Sequence, residues 1–267
     1  MEQTILITGA SSGIGKATAQ LFADRGWNVI ATMRSPEKEQ ELTEHPQVLV
    51  TRLDVLDPSS IHEAIAAGVE RFGRIDALVN NAGYGAYGPL EAFDREGILR
   101  QFNTNVIGLL DVTRTILPHF REQRSGVLVN ISSIGGRITF PLGALYHGTK
   151  FAVEGISEAL SHELKAIGVQ MKIIEPGFVA TDFGGRSFDL RTGEELTAYQ
   201  PVVAAMMEGF QRSAPNASQP GLIAEVIHRA VTDGSDQLRY PAGADAEHLL
   251  AMRAKLDDRA FLEMMQG

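Results

Sequence analysis

Short, almost continuously apolar runs alternate with longer segments of helical periodicity along the whole chain, and no other feature constrains the fold as much. The runs are Thr4 to Thr8, Asn28 to Met33, Val48 to Leu53, Ala77 to Asn80, Val127 to Ile131, Val169 to Glu175 and Gln237 to Tyr240. A strand that is apolar on both faces must be covered on both faces, which is the signature of a parallel sheet between layers of helices. Helical patterns near 14–25, 59–72, 94–122, 145–167, 219–232 and 245–264 fill the intervals. The spacing predicts one doubly wound α/β domain spanning residues 1–267, with a seven-stranded, mainly parallel sheet and helices on both faces. In such sheets ligands bind at the carboxyl ends of the strands, so the turns after the runs are where function is sought.

Two segments depart from the rhythm. From Asp182 to Pro220 the chain is rich in Gly, Ser and Pro but carries Phe183, Phe188, Leu190, Met206, Met207 and Phe210. An excursion of this kind after a strand end reads as a substrate-binding lid over 182–220. Residues 245–265 add a helical extension whose apolar stripe must cover something. Composition removes several functions. With no cysteine there is no disulfide framework, thiolate zinc site or cysteine nucleophile. The seven histidines are scattered, so no metal site is expected. A formal net charge of −9 argues against nucleic-acid binding through phosphates. No apolar run reaches the roughly 18 residues of a membrane span, and Met1-Glu2-Gln3 lacks a basic leader; a cytoplasmic protein that begins at residue 1 is expected.

The first run leads into Gly9-Ala10-Ser11-Ser12-Gly13-Ile14-Gly15 and then a helix. Strand, glycine loop and helix make an anion site, because free N–H groups and the helix dipole converge where glycine lets a phosphate approach the backbone. Three chemistries use this arrangement. A nucleophile elbow would place Ser11 at the turn, but it would follow the first strand, before any oxyanion-hole strand. A Walker A loop would need Ser or Thr where Ala17 stands, to hold magnesium. A Rossmann-type dinucleotide loop remains, with spacing Gly-x3-Gly-x-Gly. At the end of the second run, Val29-Ile30-Ala31-Thr32-Met33-Arg34-Ser35, no carboxylate appears until Glu37. An acidic side chain there would select a free ribose 2′-hydroxyl, whereas Arg34, helped by Ser35, suits a 2′-phosphate; NADP(H) is expected in preference to NAD(H).

Tyr146 and Lys150 stand four residues apart on a predicted helix and so share one face. Ser133 precedes Tyr146 by thirteen residues and closes the fifth run. Thr8-Gly9-x3-Gly13-x-Gly15, Asn80-Asn81-Ala82-Gly83, Tyr146-x3-Lys150 and Pro176-Gly177 together resemble the short-chain dehydrogenase/reductase family, in order and over nearly the whole chain. The resemblance implies hydride transfer between a nicotinamide and a carbonyl or secondary alcohol. It makes Tyr146 the general acid/base, Ser133 a hydrogen-bond donor to the reacting oxygen, and Asn105 a fourth member linked to Lys150 through water. A tyrosine with an ordinary pKa near 10 is only about a thousandth ionised at pH 7, so a neighbouring ammonium has a chemical purpose.

The resemblance also assigns Asp54 and Val55 to the adenine, Asn81, Ala82 and Gly83 to the adenine ribose, and Pro176, Gly177, Val179 and Thr181 to the nicotinamide. Tyr84, Tyr87, Ile134, Phe140, Leu142 and Phe183 are expected to wall a bulky, apolar small-molecule substrate. The stretches 81–90 and 239–246 are similar to the branch containing 17β-hydroxysteroid and retinol dehydrogenases. A homodimer pairing the long helices 94–122 and 145–167 is expected, with a tetramer as the other assembly; the alternative is that the C-terminal extension seals a monomer. The rival function is a catalytically silent NADP(H)-sensing or scaffold protein on the same fold.

Overall fold

The computed structural model describes residues 2–181 and 187–266. Chain order is β1 (Thr4–Thr8), α1 (Gly13–Asp24), β2 (Asn28–Met33), β3 (Val48–Arg52), α2 (Pro58–Phe72), β4 (Ala77–Asn80), β5 (Gly85–Tyr87), α3 (Arg95–Phe102), α4 (Gly108–Gln123), β6 (Gly126–Ile131), α5 (Ala144–Lys165) and β7 (Val169–Pro176). It continues with β8 (Phe188–Leu190), α6 (Gln200–Ser213), α7 (Pro220–Thr232), β9 (Arg239–Ala242), α8 (Ala244–Lys255) and α9 (Asp258–Gln266). The main sheet has the order β3-β2-β1-β4-β6-β7-β9, and every pairing in it is parallel. Strand order reverses between β1 and β4, which opens a crevice at their carboxyl ends.

The apolar runs are buried for the reason their composition suggests. Ile5, Ile7, Val29 and Ala31 pack with α1 and α7 through Phe22, Ile223 and Ile227. Leu6, Ile30, Leu78 and Leu128 face the other way, against Ile61, Val112, Ile116 and Leu164 of α2, α4 and α5. Helix α2 begins where Asp57 accepts the N–H groups of Ser59 and Ser60, has Pro58 in its first turn, and ends at Gly73 with φ +81°.

Three boundaries differ from expectation. The helix expected over 94–122 is interrupted by a π-helical turn at Asn103–Ile107, where the inward-facing Asn105 takes partners across the fold. The last strand begins at Arg239 rather than Gln237, because the buried Lys172 ammonium takes the carbonyls of Ser235 and Gln237 (2.5 and 3.2 Å). The C-terminal extension is two helices: Asp257 accepts the Ala260 N–H (2.8 Å) and starts α9 afresh. Phe261, Leu250 and Leu256 of that extension pack on Ile134, Ile138 and Phe140, so the apolar stripe covers its own chain beside β6. Strands β5 and β8 form a separate two-stranded parallel sheet that sequence periodicity does not reveal, being only three residues each. Among the described residues no helix is long and apolar enough to cross a membrane.

Candidate active site

The glycine loop is shaped by contacts that a side chain would destroy. A Cβ on Gly15 would lie 2.3 Å from the Gly9 carbonyl oxygen and 2.5 Å from Asn81 Nδ2. Gly9 itself has φ +69°, a left-handed conformation that glycine adopts without strain. Asn81 clasps the loop, its Nδ2 donating to the carbonyls of Thr8 (2.9 Å) and Gly9 (3.1 Å). The Thr8 hydroxyl in turn accepts the N–H groups of Asn81 and Ala82, each at 3.0 Å. Ser12 precedes α1 in extended conformation without capping it by its side chain, and the first turn carries no acidic residue. The loop borders a cleft of about 510 Å³ lined by Ser11, Ser12, Gly13, Lys16, Ala180 and Thr181. Uncapped N–H groups, a helix dipole and a cradle emptied of Cβ atoms fit a pyrophosphate. Lys16, which sequence reasoning passed over, adds a cation held by Glu39 (3.2 Å) and Glu41 (3.1 Å). No histidine or carboxylate hydrogen-bonds Ser11 among the described residues, so the elbow arrangement is not built.

At the carboxyl end of β2, Arg34 is exposed and has no ion pair or hydrogen bond among the described residues. Ser35 precedes a short turn at Pro36–Lys38. Asp54 accepts the Leu56 N–H (3.0 Å), an arrangement that shapes the turn after β3 and leaves the capping of α2 to Asp57. Val55 packs on Gly108, where a Cβ would approach its own Cβ to 2.7 Å.

Ser133, Tyr146 and Lys150 come together at the end of β6 and the start of α5. The Ser133 hydroxyl accepts the Gly135 N–H at 3.0 Å, which directs its own proton outward. Burial pushes the Tyr146 phenol up to about 12, with the neighbouring Ser133 hydroxyl pulling the other way. The Lys150 ammonium lies 5.8 Å from the Tyr146 ring centroid and donates to the Ile131 carbonyl at 2.8 Å. Burial brings its pKa down to about 8, with Glu154 pulling the other way. Asn105 is buried; its Nδ2 donates to the Tyr84 carbonyl (2.9 Å) and Thr149 Oγ1 (3.1 Å), and its Oδ1 accepts the Tyr84 N–H (3.1 Å). Its direct partners tie Tyr84, just before β5, to α5. Gly83 backs onto the same amide, with Asn105 Oδ1 3.1 Å from where a Cβ would stand.

Tyr146 lies under an aromatic cluster. Tyr87 is 5.5 Å from it between ring centroids, and Phe188 and Phe210 lie 5.3 and 5.6 Å from Tyr87. Leu142, Leu190, Met206 and Met207 complete the cover. Of the expected substrate residues, Tyr87 and Leu142 therefore sit beside Tyr146. Leu142 has φ +64°, a strained value for a leucine, and its carbonyl accepts the Gly88 N–H at 2.8 Å. Tyr84 lies beneath the Arg100 guanidinium, while Ile134 and Phe140 face the C-terminal helices. Phe183 lies outside the described residues. His147 is buried rather than exposed: its Nδ1 bonds the Gly135 carbonyl (2.9 Å) and its Nε2 accepts the Phe140 N–H (3.0 Å), so the proton sits on Nδ1.

The turn after β7 is fixed from behind. Gly177 N–H donates to the Ala242 carbonyl (3.1 Å), and the Phe178 N–H donates to Asp245 Oδ2 (2.7 Å), so the start of α8 holds the Pro176-Gly177 turn. Val179 bridges to Ser218, and Thr181 Cγ2 faces Gly13 across the cleft. Asp245 and Phe178 escaped sequence reasoning because their roles depend on a contact 67 residues apart in the chain. Among the described residues no cluster of His, Asp and Glu is arranged to hold a metal.

A family profile described as short chain dehydrogenase matches residues 3–191. An uncharacterized oxidoreductase from Schizosaccharomyces pombe is 48% identical over 230 residues, covering 86% of this chain and 96% of the relative. A short-chain dehydrogenase from Streptomyces avermitilis superposes with a TM-score of 0.83 at 33% identity, covering all of both chains. ElxO, solved with NADP bound, does so with a TM-score of 0.75 at 28% identity over 90% of this chain and 98% of ElxO. Together with the strand order and the glycine loop, these matches show that the chain belongs to the short chain dehydrogenase family of oxidoreductases.

Proposed function

We propose that the protein is an NADP(H)-dependent oxidoreductase interconverting a ketone and a secondary alcohol on a bulky, apolar substrate, with Tyr146 as general acid/base. The observation that carries this reading is the gathering of Ser133, Tyr146 and Lys150 at the carboxyl end of the sheet, with the Lys150 ammonium 5.8 Å from the Tyr146 ring and the phenol buried beneath apolar and aromatic side chains. The bound nicotinamide supplies or accepts the hydride. In reduction, the Tyr146 phenol donates its proton to the carbonyl oxygen and the Ser133 hydroxyl, its lone pair engaged by Gly135, donates a hydrogen bond to that oxygen. A phenol raised to about 12 by burial stays protonated and ready to act as the acid. In oxidation Tyr146 takes the proton back, with the Lys150 ammonium nearby favouring the phenolate.

The residues proposed to hold the cofactor are Gly9, Ser11, Ser12, Gly13, Ile14 and Gly15 at the pyrophosphate, Asp54, Val55 and Asn81 to Gly83 at the adenosine, Arg34 and Ser35 at the 2′-phosphate, Pro176, Gly177, Val179 and Thr181 at the nicotinamide, and Tyr146 and Lys150, the latter on the ribose hydroxyls. The preference for NADP(H) rests on Arg34, an unengaged guanidinium after a strand end without a carboxylate. Residues 182–220, of which 182–186 lie outside the described residues, act as the lid, and the cluster of Tyr87, Leu142, Phe188 and Phe210 forms the substrate wall. A homodimer in a cytoplasmic setting is proposed, with exposed Leu99, Ile107 and Phe151 on the helices expected to pair. Replacing Arg34 by Ala and comparing NADPH with NADH tests the cofactor assignment; an unchanged preference overturns it. A silent sensor on the same fold would bind the cofactor yet reduce no carbonyl in a screen of steroid, retinoid and aromatic ketones.

A further inference from the structure

Behind Lys150 lies a buried charge cluster that the proposed chemistry does not use directly. Glu154 stands one turn beyond Lys150 on α5, and its side chain is buried although it carries a carboxylate. Its Oε2 accepts from Arg239 Nε of β9 at 3.0 Å, while its Oε1 is buried with no hydrogen-bond partner among the described residues. Glu175, the residue before the Pro176-Gly177 turn, is also buried; its Oε1 meets Arg137 Nη1 at 3.2 Å and Arg239 Nε at 3.7 Å. Arg239 further pairs with Glu158 on the solvent side of α5 at 2.5 Å. The groups around Glu154 are thus Lys150 and Glu158 on its own helix, Arg239 on β9, Glu175 on β7 and Arg137 after β6. Three cations face three carboxylates.

A buried carboxylate with one oxygen left unpartnered costs stability unless its charge serves a neighbour. The neighbour is Lys150. Among the described residues its hydrogen-bond partner is the neutral Ile131 carbonyl; burial drives the amine toward its neutral form, and Glu154 is the group that opposes this. Of the two buried carboxylates, Glu154 has the shorter contact to Arg239, whereas Glu175 is raised to about 7 by burial first and by the charge of Glu154 second.

We propose that Glu154 is a positioning residue whose buried carboxylate, fixed by Arg239, stabilises the Lys150 ammonium. The proposal rests on the reading of Lys150 as the ammonium that serves Tyr146, and its test separates the two. Lys150 is one of six lysines (Lys16, Lys38, Lys150, Lys165, Lys172 and Lys255), so its 13Cε resonance in lysine-labelled protein is assignable through Lys150→Arg. The titration of that resonance is followed in the wild type, Glu154→Gln, Glu154→Asp and Glu175→Gln. Gln keeps the shape of Glu and can still accept from Arg239, so E154Q retains the fold. A buried opposite charge one helical turn away typically moves a pKa by about one pH unit. The Lys150 titration is therefore expected to fall by about one pH unit in E154Q and to stay near the wild type in E154D and E175Q. The alkaline limb of the kcat profile should move with it, while kcat at pH 6 stays within about twofold, because Lys150 is charged there in every variant. An unchanged Lys150 titration in E154Q overturns the proposal, as does a loss of kcat that is equal at all pH values. A titration shift in a protein that shows no dehydrogenase activity leaves the proposal standing and overturns the functional reading instead.

Discussion

The replacement Gly15→Ala tests the glycine loop where its geometry is tightest. The new Cβ would sit 2.3 Å from the Gly9 carbonyl oxygen, and real Cβ atoms do not approach closer than 3.0 Å, so the loop must open by about 0.7 Å. That oxygen belongs to the backbone, and no rotamer change relieves the clash. Asn81 Nδ2, only 2.5 Å from the same Cβ, must also move, and its bonds to Thr8 and Gly9 weaken. Overpacking typically costs about 1–3 kcal/mol and each weakened hydrogen bond about 1 kcal/mol, so a loss of about 3 kcal/mol is expected. For a chain of this size that lowers Tm by about 6–12 °C. The displaced loop also misplaces the N–H groups at the start of α1, and losing even one charge-assisted hydrogen bond of about 2 kcal/mol weakens NADP(H) binding more than tenfold. The assays are a thermal melt and a fluorescence titration with NADPH. Gly26→Ala is the control: Gly26 has φ +78° but nothing within 4 Å of a Cβ, so only backbone strain of about 1 kcal/mol is added and cofactor affinity is untouched. If Gly15→Ala melts and binds NADPH like the wild type, the close-packed loop is not what shapes the cradle.

Other consequences are equally concrete. Lys172→Met removes an ammonium held by Asp233, the Ser235 and Gln237 carbonyls and the Tyr240 hydroxyl, and is expected to cost about 3–5 kcal/mol in a denaturant titration; a change under 1 kcal/mol would refute that weighting. Glu175 has a pKa raised from 4.5 to about 7 on folding, so the folded state binds the proton more tightly and stability falls as pH rises through that window. Its contribution is at most about 3 kcal/mol, and Glu175→Gln should flatten the pH dependence of Tm between pH 5 and 7.5. His147→Phe leaves the Gly135 carbonyl and the Phe140 N–H without partners and should lower Tm by several degrees; an unchanged Tm would show that the loop before α5 is held otherwise.

Much of this architecture was legible in the residues because it depends on local chemistry. Doubly covered strands must be apolar, and the run from Thr4 to Thr8 became a fully buried strand in the middle of a parallel sheet. The Tyr146-x3-Lys150 spacing worked for the same reason: one helical turn puts both groups on one face. What escaped was set by contacts distant in sequence. Nothing near Phe188 announces a strand, since β8 exists only because Gly85 to Tyr87 offers an edge to it. Asp245 reads as an ordinary first-turn acid of a helix, and only the fold brings it to the Phe178 N–H. His147 is one residue from Tyr146, but only the fold brings the loop from Gly135 to Phe140 around it and gives both ring nitrogens partners. The π-helical turn at Asn105 followed from partners just before β5 and on α5 that helical periodicity cannot register.

The central claim is that the buried Tyr146 phenol moves the proton that accompanies hydride transfer. Tyr146→Phe removes one oxygen and leaves the ring packed against Tyr87, so single-turnover oxidation of NADPH by an accepted ketone isolates that oxygen. The expected result is a rate reduced by about 10²–10⁴-fold with NADPH affinity within about twofold of the wild type. Carbonyl reduction at the wild-type rate by Tyr146→Phe would contradict the account.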